Sequence, residues 1–186
     1  MKVFVAVLAV DRTIQVCTAK MLLVMTADRR VETEFLFAQK VPIDEARNSV
    51  IDRFLESDCD YLICTDDDVG CEGNPIEICL LGKDVVFLPT PIVQKGELKM
   101  NVHYLTKGKG LQEVSKGGTG CFVLSRKAVE TIPKPLFQFK YGEDGRLLLG
   151  EDYYFSEKAA KFFTLYTHND FPCHHVKHVD LLTQMR

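Results

Sequence analysis

The chain has 186 residues, of which 46% are hydrophobic and 26% charged, and its formal net charge is −3. This composition is typical of a single globular domain and excludes disordered, collagen-like and coiled-coil proteins. The acidic balance argues against a nucleic-acid-binding protein, which would carry a basic face.

The first half of the chain alternates between strand and helix patterns. Apolar runs of strand length are separated by segments with helical periodicity, as over residues 43–57, where Ala46, Val50 and Phe54 fall on one face. Such alternation predicts an α/β fold of Rossmann-like type, with a mostly parallel central sheet flanked by helices. The predicted strands are 3–10, 31–37, 61–65 and 85–88, and the predicted helices are 13–27, 43–57 and 76–81.

The second half changes character and predicts a small antiparallel β element. Two strand patterns flank a turn rich in lysine and glycine. This basic turn is interpreted either as a lid over a phosphate group or as a solvated hairpin. Ser125 is the predicted N-cap of one helix, and Gly150 introduces another. The predicted strands are 99–105, 111–115, 120–124 and 163–166, and the predicted helices are 126–131 and 151–161.

The features that bear on location predict a cytoplasmic protein without a transmembrane segment. The apolar run at residues 3–10 is too short to span a membrane, and Asp11 and Arg12 follow it directly. It also lacks the cleavage-site pattern of a signal peptide. The seven cysteines show no Cys-x-x-Cys spacing and lie mostly in apolar company, so we interpret them as reduced core residues.

Three consecutive aspartates follow the apolar strand 61–65. In an extended segment, Asp66 and Asp68 are expected to point the same way and Asp67 the other way. Two converging carboxylates need a cation or a proton between them, and oxygen ligands suit Mg²⁺ or Mn²⁺ that bridges to phosphates. A solvated acidic turn is the simpler alternative. A calcium loop is disfavoured because Cys71 stands where such a loop requires glycine.

These residues resemble a known family. The helix segment Ala46-Arg47-Asn48, followed by the strand that ends in Asp66-Asp67-Asp68, resembles the nucleotide-binding half of GT-A-fold glycosyltransferases, especially the family-2-like ones. Residues 118–126 resemble the family's Gly-x-Gly segment, residues 150–155 its Glu-Asp motif, and residues 175–181 the segment that returns a histidine to the metal. The resemblance implies one GT-A domain over residues 1–186, with a nucleotide-sugar-binding half (1–92) and an acceptor-side half (93–186).

The resemblance also implies a metal site. Asp66, Asp68 and His175 would hold Mn²⁺ or Mg²⁺ against the diphosphate of a nucleotide-sugar, where the cation acts as a Lewis acid on the leaving group. His178 and His174 are the alternatives to His175. A structural zinc site is disfavoured because the run Cys-His-His is too tight to supply four tetrahedral ligands.

A set of donor-binding residues follows from the same resemblance. Arg47 contacts the nucleotide or, alternatively, only neutralises the acidic triplet. The loop after the first strand lies where the family binds the base, and Thr90 ends a strand that faces the donor sugar or is a plain turn. The implied set is Ala9, Val10, Asp11, Arg47, Asp66, Asp67, Thr90, Gly118 and Gly120.

Asp152 is the first candidate for the chemistry, and Glu151 is the less favoured base or, alternatively, a residue that positions the acceptor or the loop. An inverting transfer needs one carboxylate to take the proton of the attacking hydroxyl. The N-terminus of a helix favours an ionised Asp, although acidic residues are also common there without any function. The implied activity is metal-dependent transfer of a sugar from a nucleoside diphosphate, UDP being favoured, to a glycan or other hydroxyl acceptor, and retention of configuration stays open.

Two alternatives belong to other classes. A nucleotidyltransferase of related fold would show a glycine-rich loop after the first strand, and residues 8–12 contain no glycine. An inactive module that binds sugar or metal is the other alternative. Aromatic residues between 137 and 155 flank the Glu-Asp motif and are interpreted as a sugar platform or as core. The acceptor side is short, so a further domain or a second copy of the chain is expected to complete it.

Overall fold

The computed structural model describes residues 1–39, 41–94, 96–106 and 108–177. The helices are α1 (Val16–Ala27), α2 (Ile43–Glu56), α3 (Ile76–Leu80), α4 (Arg126–Thr131) and α5 (Glu151–Ala159). The strands are β1 (Lys2–Leu8), β2 (Glu32–Ala38), β3 (Tyr61–Asp66), β4 (Val69–Cys71), β5 (Val85–Phe87), β6 (Pro91–Gln94), β7 (Glu97–Met100), β8 (Val102–Tyr104), β9 (Leu111–Gly117), β10 (Cys121–Ser125), β11 (Lys140–Tyr141), β12 (Leu147–Leu149), β13 (Tyr166–His168) and β14 (Cys173–His175).

An eight-stranded sheet forms the centre of the described structure, with the strand order β2–β1–β3–β10–β5–β13–β9–β8. Strand β1 runs parallel to β2 and β3, and β5 runs parallel to β13. Strand β10 is antiparallel to both of its neighbours, and β9 is antiparallel to both β13 and β8. The sheet is therefore mixed, and the prediction of a mostly parallel sheet is wrong.

The error has a physical cause. The alternation of strand and helix up to residue 88 describes the order along the chain, and it carries no information about a later strand that inserts between two earlier ones. Strand β10 does this, because it hydrogen-bonds to β3 on one side and to β5 on the other. The predicted small antiparallel element is present as β8–β9, and the hairpins β6–β7 and β11–β12 add to it.

Both faces of the central sheet are covered, as predicted for helices that flank it. Along β1, Phe4 and Leu8 belong to a core that includes Phe54 of α2, whereas Val5 belongs to a second core that includes Met21 of α1. This alternation on a strand that is buried on both faces explains why residues 3–8 read as one continuous apolar run. None of the described helices has the length and apolarity needed to cross a membrane.

Several boundaries differ from the prediction. Helix α1 begins at Val16, because residues 13–15 lie in the loop after β1, and α5 ends at Ala159 rather than at 161. The strand predicted at 163–166 begins only at Tyr166. The short strands β4 and β14 pair with each other and place His175 opposite Val69, next to the acidic triplet.

Candidate functional site

A cavity of about 180 Å³ lies at the carboxyl end of β3. Arg47 of α2 and Asp66, the last residue of β3, line it together with Glu151 and Asp152, the first two residues of α5. His175 of β14 lines it as well. The fold thus brings charged side chains that are far apart in sequence together around one cavity.

Arg47 is the centre of this cluster. Its side chain is only 4% exposed, and it donates hydrogen bonds to Glu151 and, over 3.0 Å, to Oδ1 of Asp66. A third bond reaches the backbone oxygen of Thr119 over 3.3 Å. Among the described residues, the buried Nε of Arg47 has no hydrogen-bond partner. One buried cation therefore joins an acid of the first half of the chain to an acid of the second.

The cavity holds more negative charge than Arg47 neutralises. Burial raises the pKa of Asp66 to about 6, and the neighbouring charge of Asp68 adds to the rise while Arg47 opposes it. Burial and the charge of Glu151 also raise the pKa of Asp152. Acids held in this way are stabilised by a cation or a proton, so the electrostatics of the cavity favour binding of a positively charged ligand.

The acidic triplet does not continue the strand. Strand β3 ends at Asp66, and Asp67 and Asp68 form a turn that leads into β4. The extended backbone that would place Asp66 and Asp68 on the same face of a strand therefore does not reach Asp68. Oδ2 of Asp68 lies 2.7 Å from the ammonium of Lys177 and 3.6 Å from Nε2 of His175. Burial opposes ionisation of Asp68, but hydrogen bonds from His175 and Lys177 outweigh it and lower the pKa of Asp68 to about 2.

The imidazole of His175 is oriented by the backbone. Its Nδ1 lies 2.7 Å from the carbonyl oxygen of Pro91, which can only accept, so Nδ1 carries the proton of this hydrogen bond. Nε2 faces the carboxylate of Asp68 over 3.6 Å, and its hydrogen bond to that carboxylate raises the pKa of His175. A cation that bound both side chains would displace the proton of Nε2 and use its lone pair. A carbonyl that orients a histidine in this way is a common second partner of metal-ligating histidines.

The residues around Asp68 fit the implied cation in part. Asp68 and His175 supply one carboxylate and one imidazole, a donor pair suited to a divalent ion that takes its other ligands from water and phosphate. The carboxylate of Asp66 is engaged in its hydrogen bond with Arg47. Within the described ranges, no group of three or more His, Cys, Asp or Glu side chains is arranged to hold a metal ion. Asp68 and His175 therefore fit a cation that takes its remaining ligands from a substrate, because these residues do not form a complete metal site by themselves.

A second cavity, of about 200 Å³, lies on the other side of the triplet. Asp11 and Thr13 of the loop after β1 line it together with Asp67, Asp68 and Lys177. The backbone between Asp11 and Thr13 bends through a left-handed conformation, with φ of 59° at residue 12, which is uncommon for a residue other than glycine. This loop therefore lies next to the aspartates, where the resemblance places the base-binding segment.

The remaining predicted donor residues have different surroundings. Ala9 is 2% exposed within the core and Val10 is 44% exposed, and neither lines the two cavities. Thr90 and Gly120 line the first cavity. A Cβ on Gly118 would come within 2.2 Å of the side-chain nitrogen of Asn101, so packing explains that glycine without any ligand.

Two residues at the site, Asn101 and His103, escape sequence reasoning, and a third, Tyr153, is predicted only as one of the aromatic residues that flank the Glu-Asp motif. Asn101 is buried, and its Oδ1 accepts a hydrogen bond from the backbone of Thr90 over 3.1 Å. The hydroxyl of Tyr153, next to Asp152, lies 2.9 Å from Nε2 of His103. No pattern in the sequence marks these contacts, because they join segments 11 and 50 residues apart.

Some of the predicted residues fall elsewhere. His174 is exposed and pairs with Glu72 over 3.2 Å, away from the aspartates. His178 and the family-like segment after Lys177 lie outside the described residues, as do two lysines of the predicted basic turn, residues 95 and 107.

Comparison with known proteins adds the fold but no family. No protein-family model matches the chain, and no curated protein matches it in sequence. The crystal structure of A197 from STIV is similar over 96% of this chain and 87% of that one, with a TM-score of 0.68 and 21% sequence identity. An identity this low shows a shared fold alone.

Two structures of UDP-glucose pyrophosphorylase overlap less well. The apo form and the complex with UDP-glucose give TM-scores of 0.47 and 0.48 at 9% identity, over 77% of this chain and 57% and 60% of theirs. A pyrophosphorylase of this kind is a nucleotidyltransferase, which is the class of the first alternative above. The structural overlap is too small to support any conclusion about the activity of this chain. None of these three structures is named as a glycosyltransferase, so the resemblance to the GT-A family is not confirmed.

Proposed function

We propose that this chain is a divalent-cation-dependent enzyme that takes a sugar from a nucleoside diphosphate, UDP being favoured, and transfers it to an acceptor hydroxyl. The observation that carries the proposal is the link through Arg47, which joins Asp66 at the end of β3 to Glu151 at the start of α5. His175 and Asp152 line the same cavity, so a cation held at His175 and Asp68 would lie near a separate carboxylate that can take a proton.

The two sides would have different tasks. Asp68 and His175 would hold Mn²⁺ or Mg²⁺, which when bound stabilises the charge that develops on the departing diphosphate. Asp66, the third predicted ligand, would keep its hydrogen bond with Arg47. Asp11 and Asp67, in the adjoining cavity, would face the nucleoside.

Asp152 would act as the general base. Its raised pKa brings it nearer to neutral pH, where a carboxylate takes up a proton more readily. The acceptor hydroxyl gives its proton to Asp152 while its oxygen forms the new bond to the anomeric carbon. The bond from that carbon to the diphosphate oxygen breaks, and its electron pair stays on the diphosphate. A single displacement of this kind inverts the configuration, and Glu151, held by Arg47, would orient the acceptor.

A first experiment tests the donor site. Thermal unfolding is followed with UDP or UDP-glucose, with and without Mn²⁺. At a ligand concentration about 100 times Kd, binding adds about 2.7 kcal/mol, which for a chain of this size raises Tm by roughly 5–10 °C. We expect this shift only when Mn²⁺ is present. It should be lost in Asp68→Asn and kept in Asp52→Asn, which removes an exposed carboxylate paired with Lys134. Indifference to every combination would refute the donor site.

A second experiment separates the reactions. Glycosyl transfer releases UDP from UDP-glucose, whereas a pyrophosphorylase converts UDP-glucose and pyrophosphate into UTP and glucose 1-phosphate. We expect UDP and no UTP, because residues 8–12 after β1 contain no glycine and so lack the glycine-rich loop that a nucleotidyltransferase would use for a triphosphate. Formation of UTP would establish the nucleotidyltransferase alternative. Donor binding without either product, across an acceptor panel, would leave an inactive binding module.

A further inference from the structure

A larger cavity, of about 570 Å³, lies between α5 and the hairpin β11–β12. Tyr153 lines the cavity of Arg47 and Tyr154 lines this one, so consecutive residues of α5 face the two spaces. Leu149, two residues before Glu151, also lines it. The cavity is thus adjacent to the site and on its acceptor side. Its other principal side chains are aromatic or cationic: Phe139, Tyr141, Lys140, Lys158 and Lys161.

The lining carries unneutralised positive charge. Within the described part of the chain, Lys140 and Lys161 have no ion-pair partner. The ammonium of Lys158 donates to a carbonyl oxygen, that of Pro135, over 2.7 Å. The acid of the lining, Glu157, is already paired with Lys116 over 2.6 Å. In a chain with a net charge of −3, this concentration of lysines is suited to an anionic ligand.

The aromatic residues of this region divide into two groups. Phe137 and Phe155 are 1% and 0% exposed and belong to the core. Phe139 and Tyr141 instead contact each other at the cavity, with ring centroids 6.4 Å apart, and Tyr141 is 60% exposed. Accessible ring faces beside a few polar groups are typical of a ligand pocket, and they suit the apolar C–H face of a sugar ring.

The distance to the reacting centre limits the size of the ligand. Lys158 follows Asp152 by six residues on α5, which is about 9 Å along a helix axis. This axial separation sets the scale for a ligand that contacts Lys158 and presents a hydroxyl to Asp152, and it is roughly the length of a disaccharide.

We propose that this cavity binds an anionic sugar, and that the acceptor of the enzyme is a saccharide whose phosphate or carboxylate lies about 9 Å from the reacting hydroxyl. The assignment of that sugar as acceptor rests on the proposed function, whereas its binding does not. The lysines would hold the anionic group, and Phe139, Tyr141 and Tyr154 would pack on the sugar ring.

Isothermal titration calorimetry in low salt, without nucleotide or metal, tests the binding. The probes are glucose 6-phosphate, glucuronate, glucose and inorganic phosphate. We expect one or both anionic sugars to bind more tightly than glucose and phosphate, and the better of the two identifies the anionic group. The double variant Lys140→Gln/Lys161→Gln should weaken that binding about tenfold, since two ion pairs are lost. The control Lys20→Gln/Lys127→Gln changes the net charge equally on other surfaces and should bind as the wild type does.

The proposal is overturned if no anionic sugar binds, if glucose binds equally well, or if both double variants lose affinity alike. Failure of the UDP experiments would leave this calorimetry unaffected, so the two proposals can fail separately. If both hold, Lys140→Gln/Lys161→Gln should raise KM for an anionic acceptor about tenfold while kcat stays unchanged. A fall in kcat with constant KM would contradict the assignment of the cavity to acceptor binding.

Discussion

Replacing Arg47 by methionine should destabilise the fold far more than replacing an exposed arginine. Methionine keeps much of the buried volume but leaves Asp66 and Glu151 without their cation. Removing one partner of a buried ion pair costs about 3–5 kcal/mol. At roughly 2–4 °C per kcal/mol for a chain of this length, Tm should fall by about 6–20 °C. The matched control is Arg53→Met on the same helix, whose pair with Glu56 is 63% exposed on both sides and should contribute about 1 kcal/mol or less.

The loss should also depend on pH. The pKa of Asp66 is raised from 3.8 to about 6 in the folded chain, so its ionised form costs about 3 kcal/mol at neutral pH, at about 1.4 kcal/mol per pKa unit. That cost is present above the folded pKa and disappears as the pH falls from about 6 towards 4, because the folded state then binds the proton more tightly than the unfolded state does.

Without Arg47, which opposes this rise, the pKa of Asp66 should increase further. The difference in the free energy of unfolding between Arg47→Met and wild type should therefore be largest near neutral pH and smaller near pH 5. Urea unfolding at the two pH values, checked by calorimetry, measures it. A difference that matches Arg53→Met, or one that grows on acidification, would show that Arg47 is not the compensating charge of this cluster.

Three further changes have definite expectations. Asp152→Asn should lower transfer by about 10²–10⁴-fold in a UDP-release assay, as expected for loss of a general base, and should leave the Mn²⁺-dependent thermal shift with UDP intact; loss of both would make Asp152 a donor-site residue. Gly70→Ala should lower the free energy of unfolding by about 1–3 kcal/mol, because the new Cβ would lie 2.4 Å from the carbonyl group of Cys17; an unchanged urea midpoint would contradict this contact. Ser125→Ala should cost about 1 kcal/mol, since Ser125 caps α4 through a 3.0 Å bond to the backbone of Ala128, and a Tm equal to that of wild type would show that the cap contributes nothing.

Local patterns in the sequence predicted most of the elements. The cap at Ser125 and the helix after Gly150 are found at the predicted residues, because local capping chemistry and helical periodicity determine them. Strand order could not be predicted in the same way. The position of β10 between β3 and β5 depends on pairing between residues 58 and 35 positions apart, as for Phe122 with Cys64 and Phe87.

The candidate site was predictable in part, for the same reason. The aspartates at the end of β3 and the Glu-Asp pair at the start of α5 stand out as local motifs, and the structure places Asp66 and Asp152 on one cavity. The pairing of Asp68 with Lys177 and the contact between Tyr153 and His103 join distant segments, and no residue spacing in the sequence predicts them. The extended alternation assumed for the triplet also failed, because β3 stops at Asp66.

The insertion of β10 has a consequence for how the chain can be divided. A fragment that stops near residue 92 would keep β3 and β5 but lose the strand that hydrogen-bonds to both. Two apolar strand edges would then face water in the middle of the sheet and would invite aggregation. The backbone of Asp66, which donates to the oxygen of Gly120 over 2.9 Å, would lose its partner as well. During synthesis on the ribosome, the acidic end of β3 therefore cannot form its contacts with Gly120 and β10 until at least fifty more residues have been made.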